Sequence, residues 1–354
     1  MTDQPTSNTE QAPYLSLASI TGGVNVPSRR YRISALIPYL RKYNIDLTEY
    51  CPKISTYPPK NSLLRVPWLF AALTERLTYI QRIRGYDAVI LQRELISTIP
   101  TVERFIQDPK IFDVDDAIYL HRNGRAAINA AMNSLGVVCG NNYLADRFSS
   151  WNNNIAVIPT GVDTEAVKPR LDFDKDRKRI IGWIGTSGNL RYLEYVSGAV
   201  LNVIKNFTDA ELHVISDSLR HLPYKLRKHV IFKPWYPGIE SIEVPSWTVG
   251  LMPLSDGEWE RGKCAFKLLQ YLSAGVPTVV SPVGMNIEVI GNNEVGYLAK
   301  SELEWEDAIT EIITSSSKAS KLSENGRKLV ESYYSLDVVS SKWRTVVDAW
   351  VRGK

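Results

Sequence analysis

The segment Glu258–Gly284, EWERGKCAFKLLQYLSAGVPTVVSPVG, concentrates residue types that bind a charged ligand. A loop leads into a helix expected from Cys264, with Gly275 as its C-terminal cap and Pro277 beyond. Lys263, Lys267 and Gln270 stand at i, i+4 and i+7 and so share one face of that helix. Lys263 falls at the helix N-terminus, where free N–H groups and the helix dipole favour an anion, and Arg261 precedes it by two residues. At about 1.5 Å per residue, the stripe from Lys263 to Gln270 covers about 10 Å. That length suits a ligand with phosphates at one end and a hydrogen-bonding ring further along. A solvated helix face has the same spacing.

Four further segments carry candidate chemistry. GWIGTSG, Gly182–Gly188, follows a strand and precedes a helix expected over Leu190–Phe207. Gly185 and Gly188 let a ligand approach the backbone, Thr186 and Ser187 add hydroxyls, and the N–H groups of Gly185–Gly188 form an anion-cradling turn. The glycine spacing superficially matches a dinucleotide fingerprint, which needs an acid about 20 residues on. The nearest, Asp217, is 35 residues from Gly182, so the fingerprint is incomplete and a nicotinamide cofactor is not expected. Gly22 and Gly23 follow the first strand, with Arg29, Arg30 and Arg32 beyond. The glycines admit a phosphate near the backbone, and the arginines suit an anionic acceptor or a lipid headgroup. FDVDDA places Asp113, Asp115 and Asp116 after a strand, where carboxylates orient hydroxyls, take a proton or hold a metal. Trp235, closing HVIFKPW, can stack on a base or pack in a core.

These residues need a scaffold, and the chain is long enough for two domains. It has 354 residues, 44% hydrophobic and 23% charged, as in soluble globular proteins. No apolar run is long enough to span a membrane. Residues 1–13 read as a loose polar tail without the features of a signal peptide. A net charge of +4, from 42 basic and 38 acidic side chains, is too balanced for a nucleic-acid binder. The three cysteines (Cys51, Cys139, Cys264) and four histidines show neither disulfide nor metal spacing, which fits a reducing, cytoplasmic setting.

Short β-branched runs alternate with helical patterns. Strands are expected at Tyr14–Ile20, Ile45–Tyr50, Asp87–Leu91, Ile111–Val114, Gly136–Cys139 and Ile155–Ile158. A second series comprises Ile180–Ile184, Glu211–Ser216, Val230–Lys233, Val249–Pro253 and Thr278–Ser281. Helices are expected at Arg30–Tyr43 and Pro67–Ile83. This alternation means βαβ units in two doubly wound α/β domains, with ligands past the carboxyl ends of the strands and in the cleft between domains. The segment IPTGVD, Ile158–Asp163, reads as a hinge.

Taken together, IPTGVD before a charged linker, a glycine turn opening the second sheet, and KLLQYLSAGVPTVVSPVG resemble glycosyltransferase family 4. The resemblance covers roughly Ser16–Trp350 and is strongest in Gly250–Gly296. GG…SRRYRISALIPYLRKYNI, VILQREL and IFDVDDA look like one bacterial branch of it. The resemblance implies a GT-B fold, two Rossmann-like domains facing across a cleft that holds a nucleoside-diphosphate sugar. It also implies metal-independent transfer with retention, no cofactor, and a last helix that crosses back to the first domain. The expected divisions are a disordered tail over 1–13, an acceptor domain over 14–163 and a linker over 164–179. A nucleotide-sugar domain follows over 180–335, then the crossing helix over 336–354.

Two departures from the family pattern stand out. The positions of its two glutamates hold Gly262 and Gln270, with Glu258 or Glu260 as substitutes for the first. The positions of its arginine and lysine after the first strand of the second domain hold Thr186, Ser187 and Gly188. On this reading Lys263, Arg261, Asp115 and Asp116 are catalytic, with Asp115 and Asp116 orienting the sugar or taking the acceptor proton. Gly22, Gly23, Gly185, Thr186, Ser187, Gly188, Trp235, Lys267 and Gln270 bind the donor. Asp113-Val114-Asp115 is also a DxD string. The basic cradle makes a metal there redundant, and no metal ligand is assigned. The acceptor is expected to be a saccharide or lipid-linked saccharide of a bacterial surface polysaccharide, and the Arg29–Lys42 helix is compatible with peripheral contact at the inner membrane face. The alternatives are a non-catalytic nucleotide-sugar-binding relative or partner subunit, and a nucleotide-sugar epimerase.

Overall fold

The computed structural model describes residues 14–24, 26–97, 99–107, 109–170, 173 and 178–353. The expected tail over 1–13 and most of the charged stretch 171–177 lie outside the described residues.

Two six-stranded sheets form, each parallel throughout. The first contains β1 (Leu15–Ile20), β2 (Ile45–Tyr50), β3 (Ala88–Gln92), β4 (Lys110–Val114), β5 (Gly136–Cys139) and β6 (Ile155–Val157), in the order β2-β1-β3-β4-β5-β6. The second contains β7 (Arg179–Ile184), β8 (Ala210–Ser216), β9 (Val230–Pro234), β10 (Val249–Met252), β11 (Thr278–Val280) and β12 (Gly296–Leu298), in the order β12-β11-β10-β7-β8-β9. Parallel strands covered on both faces read as unbroken apolar runs. The buried runs AVILQ, GVVC and VGLM of β3, β5 and β10 are of this kind. The three-residue edge strand β12 is too short for the sequence pattern to register.

Strand order reverses between β1 and β3 in one sheet and between β7 and β10 in the other. Ligands of open parallel sheets collect outside the strand ends at such reversals. The loops after β3 and β7 therefore occupy the privileged positions.

The expected helix Arg30–Tyr43 is broken. It runs as a helix over Pro27–Arg32, a 3-10 turn over Ser34–Leu36, a short helix over Ile37–Leu40 and a second 3-10 turn over Arg41–Tyr43. Pro38 contributes no N–H to a continuous ladder, and burial of Ile33, Leu36 and Leu40 fixes the bends. The expected helix Leu190–Phe207 likewise begins as a 3-10 segment, Ser187–Val196, and becomes α-helical only over Ser197–Asn206.

The helix Leu336–Val347 packs on the first sheet's layer, although its sequence follows the second sheet. Leu336, Val339, Trp343 and Val347 are buried with Ile33, Leu36 and Leu40. Gly161 allows the approach, because a Cβ there would lie 2.9 Å from Leu336 Cδ2. Among the described residues no helix is long and apolar enough to cross a membrane.

Candidate active site in the interdomain cleft

A cleft of about 880 Å³ opens between the carboxyl ends of the two sheets, a volume suited to a nucleotide-sized ligand. The first sheet contributes Arg30, Tyr31, Tyr57, Arg93, Asp115 and Asp116. The second contributes Gly185, Thr186, Ser187, Asp217, Trp235, Glu240, Lys263, Lys267 and Gln270.

The expected helical stripe is built differently. The helix starts at Phe266, and Ala265 is left-handed with φ 49°. Lys263 therefore sits in the preceding loop and not at a helix N-terminus. Contacts with the first domain set this bend. A Cβ on Gly262 would lie 2.8 Å from Ala117 Cβ, and the Cys264 thiol donates to the Asp115 carbonyl at 3.2 Å. Asn141 Nδ2 donates to the Lys263 carbonyl at 3.0 Å. The loop still brings Lys263, Lys267 and Gln270 to one cleft.

Lys267 Nζ lies 4.8 Å from the Trp183 ring centroid, and a Cβ on Gly185 would approach it to 3.3 Å. Glycine at 185 thus leaves the ammonium room. No carboxylate pairs with Lys267 among the described residues. Burial, aided by the charge of Lys263, pulls its pKa down to about 7. An ammonium so placed gains most from an anionic ligand. Lys263 Nζ lies 3.9 Å from Asp116 Oδ1 and 5.2 Å from the Trp259 ring centroid.

Facing these lysines, Arg93 grips both aspartates. Its Nε donates to Asp115 Oδ1 at 2.6 Å, and a terminal nitrogen donates to Asp116 Oδ2 at 2.5 Å. Burial alone would raise the Asp115 carboxyl. The charge and hydrogen bond of Arg93, with Arg32 behind, outweigh it and hold the group below the usual range. Arg93 directly follows β3 and has φ 62°, a strained conformation for a non-glycine residue. The motif QRE contains this residue, and its place just past a strand end at a sheet reversal is the signal that finds it.

Several expected assignments are corrected. Arg261 does not line the cleft; it is half-exposed and forms a bidentate pair with Asp256 at 2.7 and 3.0 Å. Gly22 and Gly23 also lie outside the lining: Gly22 packs against Val26 and its carbonyl accepts from Thr56 at 2.7 Å. Gly23 is needed for φ 117°. Gly188 is not among the cleft-lining residues, although its neighbours Ser187 and Asn189 are. The anion cradle expected of the glycine turn is partly spent within the protein. Gly185 N–H donates to the Ile215 carbonyl at 3.0 Å and Ser187 N–H to Asp217 Oδ1 at 2.6 Å. Glu260 accepts from the Tyr192 hydroxyl and Glu258 pairs with Arg147 at 2.9 Å, so neither stands in the cleft for the acid missing at Gly262. Asp113 is fully buried in a bidentate pair with Arg32, at 2.5 and 2.9 Å, and is closed to a metal.

Trp235 lines the cleft, with the Arg30 guanidinium 4.2 Å from its ring centroid. Its Nε1 donates to Glu240 Oε1 at 3.0 Å, and the Tyr31 hydroxyl donates to the same oxygen from the other domain at 2.7 Å. Tyr31 also stacks on Phe266, centroids 4.1 Å apart. Asp217 and Glu240 join the site through tertiary contacts that their sequence positions do not reveal, whereas Arg30, one of the arginines expected to meet an anion, does line the cleft.

Comparison with known proteins matches residues 259–329 to the family model described as Glycosyl transferases group 1. The match contains Lys263, Lys267 and Gln270. Glucosyltransferase 3 of Streptococcus parasanguinis is 22% identical over 279 residues, covering 75% of this chain and 77% of that protein. HepE of Anabaena, solved in complex with UDP and glucose, superposes with a TM-score of 0.72 at 12% identity, over 95% of this chain and 100% of that one. Sucrose-phosphate synthase of Thermosynechococcus elongatus gives 0.73 at 12% identity, over 96% and 100%. The architecture is the GT-B fold.

Proposed function

We propose that this glycosyltransferase moves a sugar from a nucleoside-diphosphate donor to a saccharide or lipid-linked saccharide acceptor, with retention of configuration and without a metal or cofactor. The observation that carries this reading is Lys267, an ammonium with no carboxylate partner among the described residues, in a nucleotide-sized cleft beside Lys263 and facing the Arg93–Asp115–Asp116 cluster. As the sugar–phosphate bond breaks, negative charge grows on the diphosphate. Lys267 and Lys263 would stabilise that charge more than the ground state, which is the condition for catalysis. Two fixed ammonium groups supply what a divalent ion supplies elsewhere. Gln270 would hydrogen-bond a ribose hydroxyl, and Trp235 offers a stacking surface beside Arg30. Asp116, held toward both Arg93 and Lys263, would orient the acceptor hydroxyl and receive its proton. HepE binds UDP and glucose, which makes UDP-glucose the first donor to test.

A second reading, a nucleotide-sugar binder without turnover, is favoured by one observation: no acid occupies Gly262, and Glu258 and Glu260 are engaged elsewhere. Calorimetric titration with UDP, GDP, ADP and dTDP, with and without EDTA, separates the possibilities when paired with a donor-hydrolysis assay. Tight binding of one nucleotide, unchanged by EDTA and lost in Lys263→Ala, is the expected result. Binding that requires a divalent ion overturns the metal-free assignment. Binding without hydrolysis or transfer to any saccharide acceptor favours the second reading.

A further inference from the structure

Glu240 lines the cleft without a cationic partner among the described residues. The two hydrogen bonds it accepts come from neutral groups, and both end on Oε1. Trp235 Nε1 donates at 3.0 Å and the Tyr31 hydroxyl at 2.7 Å. Among the described residues none donates to Oε2. The second domain sets this carboxylate in place. Gly238, with φ 90°, turns the chain after β9, and Ile239 is buried in the cluster that contains Ile184 and Tyr271. The short helix Ile239–Glu243 then carries Glu240 into the lining.

Tyr31 reaches Glu240 from the other domain. Its ring lies on Phe266, centroids 4.1 Å apart, at the start of the helix Phe266–Ser273. Gln270 stands one turn further along that helix, and its side chain adjoins the same Tyr31 hydroxyl. Burial, and then the Glu240 charge, push the phenol above its ordinary range, so it stays a hydrogen-bond donor. One hydroxyl thus meets a carboxylate and a side-chain amide together. Such a pair of adjacent groups fits a sugar diol, whose two neighbouring hydroxyls each need an acceptor. Next to it the planar Arg30 guanidinium covers a face of Trp235, and its Nε has no partner among the described residues.

We propose that Glu240, with Gln270, receives the ribose diol of the donor nucleotide, and that the Tyr31 hydroxyl competes with the ribose for the same carboxylate. Gln270 is neutral, and hydrogen bonds to an ionised acceptor are about twice as strong as those to a neutral one. The charged acceptor for the sugar therefore comes from the segment after β9 and not from the helix that carries Gln270. Glu240 Oε1 already accepts two bonds, so a ribose hydroxyl that takes one of those places displaces Tyr31. Donor binding then exchanges a contact between the domains for a contact with the ligand. The assignment rests on the nucleotide-sugar reading proposed above.

The experiment is calorimetric titration of the full chain with UDP, GDP and ADP, each beside its 2′-deoxy counterpart. Wild type is expected to bind one ribonucleotide about ten- to a hundredfold more tightly than its 2′-deoxy form, the scale of a hydrogen bond to a charged group. Glu240→Gln keeps the shape of the side chain and should lower that ratio by about threefold or more, because a neutral acceptor holds the hydroxyl about half as strongly. Tyr31→Phe keeps the ring on Phe266 and removes the competitor, so it should tighten the ribonucleotide by about threefold or more. Circular dichroism spectra matching the wild type show that both variants fold. Three outcomes overturn the assignment: equal binding of the ribo and deoxy forms by wild type, a ratio that survives in Glu240→Gln, and weaker ribonucleotide binding by Tyr31→Phe. If Glu240→Gln instead reorders the three bases with the ratio intact, Glu240 reads the base and not the ribose. Equal ribo and deoxy affinities leave the donor reading standing, whereas failure of every ribonucleotide to bind removes that reading and the Glu240 assignment with it.

Discussion

If Lys267 holds the donor diphosphate, donor affinity must fall as pH rises from 7 to 9. The free protein has a Lys267 pKa of about 7, because burial penalises the ammonium and Lys263 repels it. A diphosphate alongside reverses both effects and raises the pKa in the complex. Binding above pH 7 then takes up a proton, so alkaline pH opposes it. With a free-state value near 7, about half the lysines are protonated at pH 7 and about 1% at pH 9. The dissociation constant for UDP-glucose should therefore rise roughly fifty-fold, or about 2.3 kcal/mol. The two phosphates of a sugar nucleotide are fully ionised across this window and add no slope of their own. Titration calorimetry in two buffers of different ionisation heat counts the protons directly. Uptake should grow from about half a proton toward one between pH 7 and 9. Lys267→Met should bind weakly at both pH values and lose the slope. A wild-type constant that moves less than about threefold, or a slope that survives in Lys267→Met, refutes the assignment of Lys267 to the anion.

Gly262→Glu restores an acid where the family pattern has one, yet it should lower turnover at least tenfold. Its Cβ would meet Ala117 Cβ at 2.8 Å and hold the domains apart; small-angle scattering should report a larger radius of gyration. Arg32→Met leaves Asp113 buried without its cation and should cost about 3–5 kcal/mol in urea unfolding. Adding Asp113→Leu should recover most of that loss. Arg93→Gln releases Asp115 and Asp116 and should lower kcat about a hundredfold while donor affinity stays within about threefold, and Arg93→Lys should restore part of kcat. An equal loss of donor affinity in Arg93→Gln would show that Arg93 acts on the donor and not through the aspartates.

The sheets were legible because buried parallel strands have a strong local signature. VILQ, GVVC and VGLM leave few alternatives once helices separate them. The site was legible by residue type more than by geometry. Lys263, Lys267 and Gln270 do converge, but through a left-handed Ala265 that the contacts of Gly262 and Cys264 with the other domain impose. Local propensity cannot anticipate a bend set by a segment more than a hundred residues away. Arg261 misled for a local reason: Asp256 stands five residues upstream and takes its guanidinium at the surface. Arg93 lies in VILQREL, but its importance comes from a pairing with Asp115 and Asp116 across 22 and 23 residues, which the local sequence does not display. Within the basic Arg29–Lys42 stretch, Arg29 and Arg32 are taken by Glu49 and Asp113, partners distant in sequence, while Arg41 and Lys42 stay exposed beside Asp46 and Asp337.

The cleft's charges also bear on how salt should act. Arg29 and Arg32 are occupied by Glu49 and Asp113, which do not line the cleft. What remains is Arg30, Arg93, Lys263 and Lys267 against Asp115, Asp116, Asp217 and Glu240, a balanced set. Net attraction therefore does not explain anion binding; placement does. Arg93 is spent on Asp115 and Asp116, while Asp217 and Glu240 are held by the neutral donors Ser187, Tyr31 and Trp235. The lysines of the second domain thus form a local positive pole in a cleft with no long-range field. A short-range interaction with a partly buried ammonium is little screened, because the Debye length matters for charges separated by water. UDP-glucose affinity should accordingly change less than about threefold between low and half-molar salt at pH 7. A donor affinity that drops about tenfold or more over that range would mean that the diphosphate is held by diffuse surface charge, and Lys267 would lose its special place.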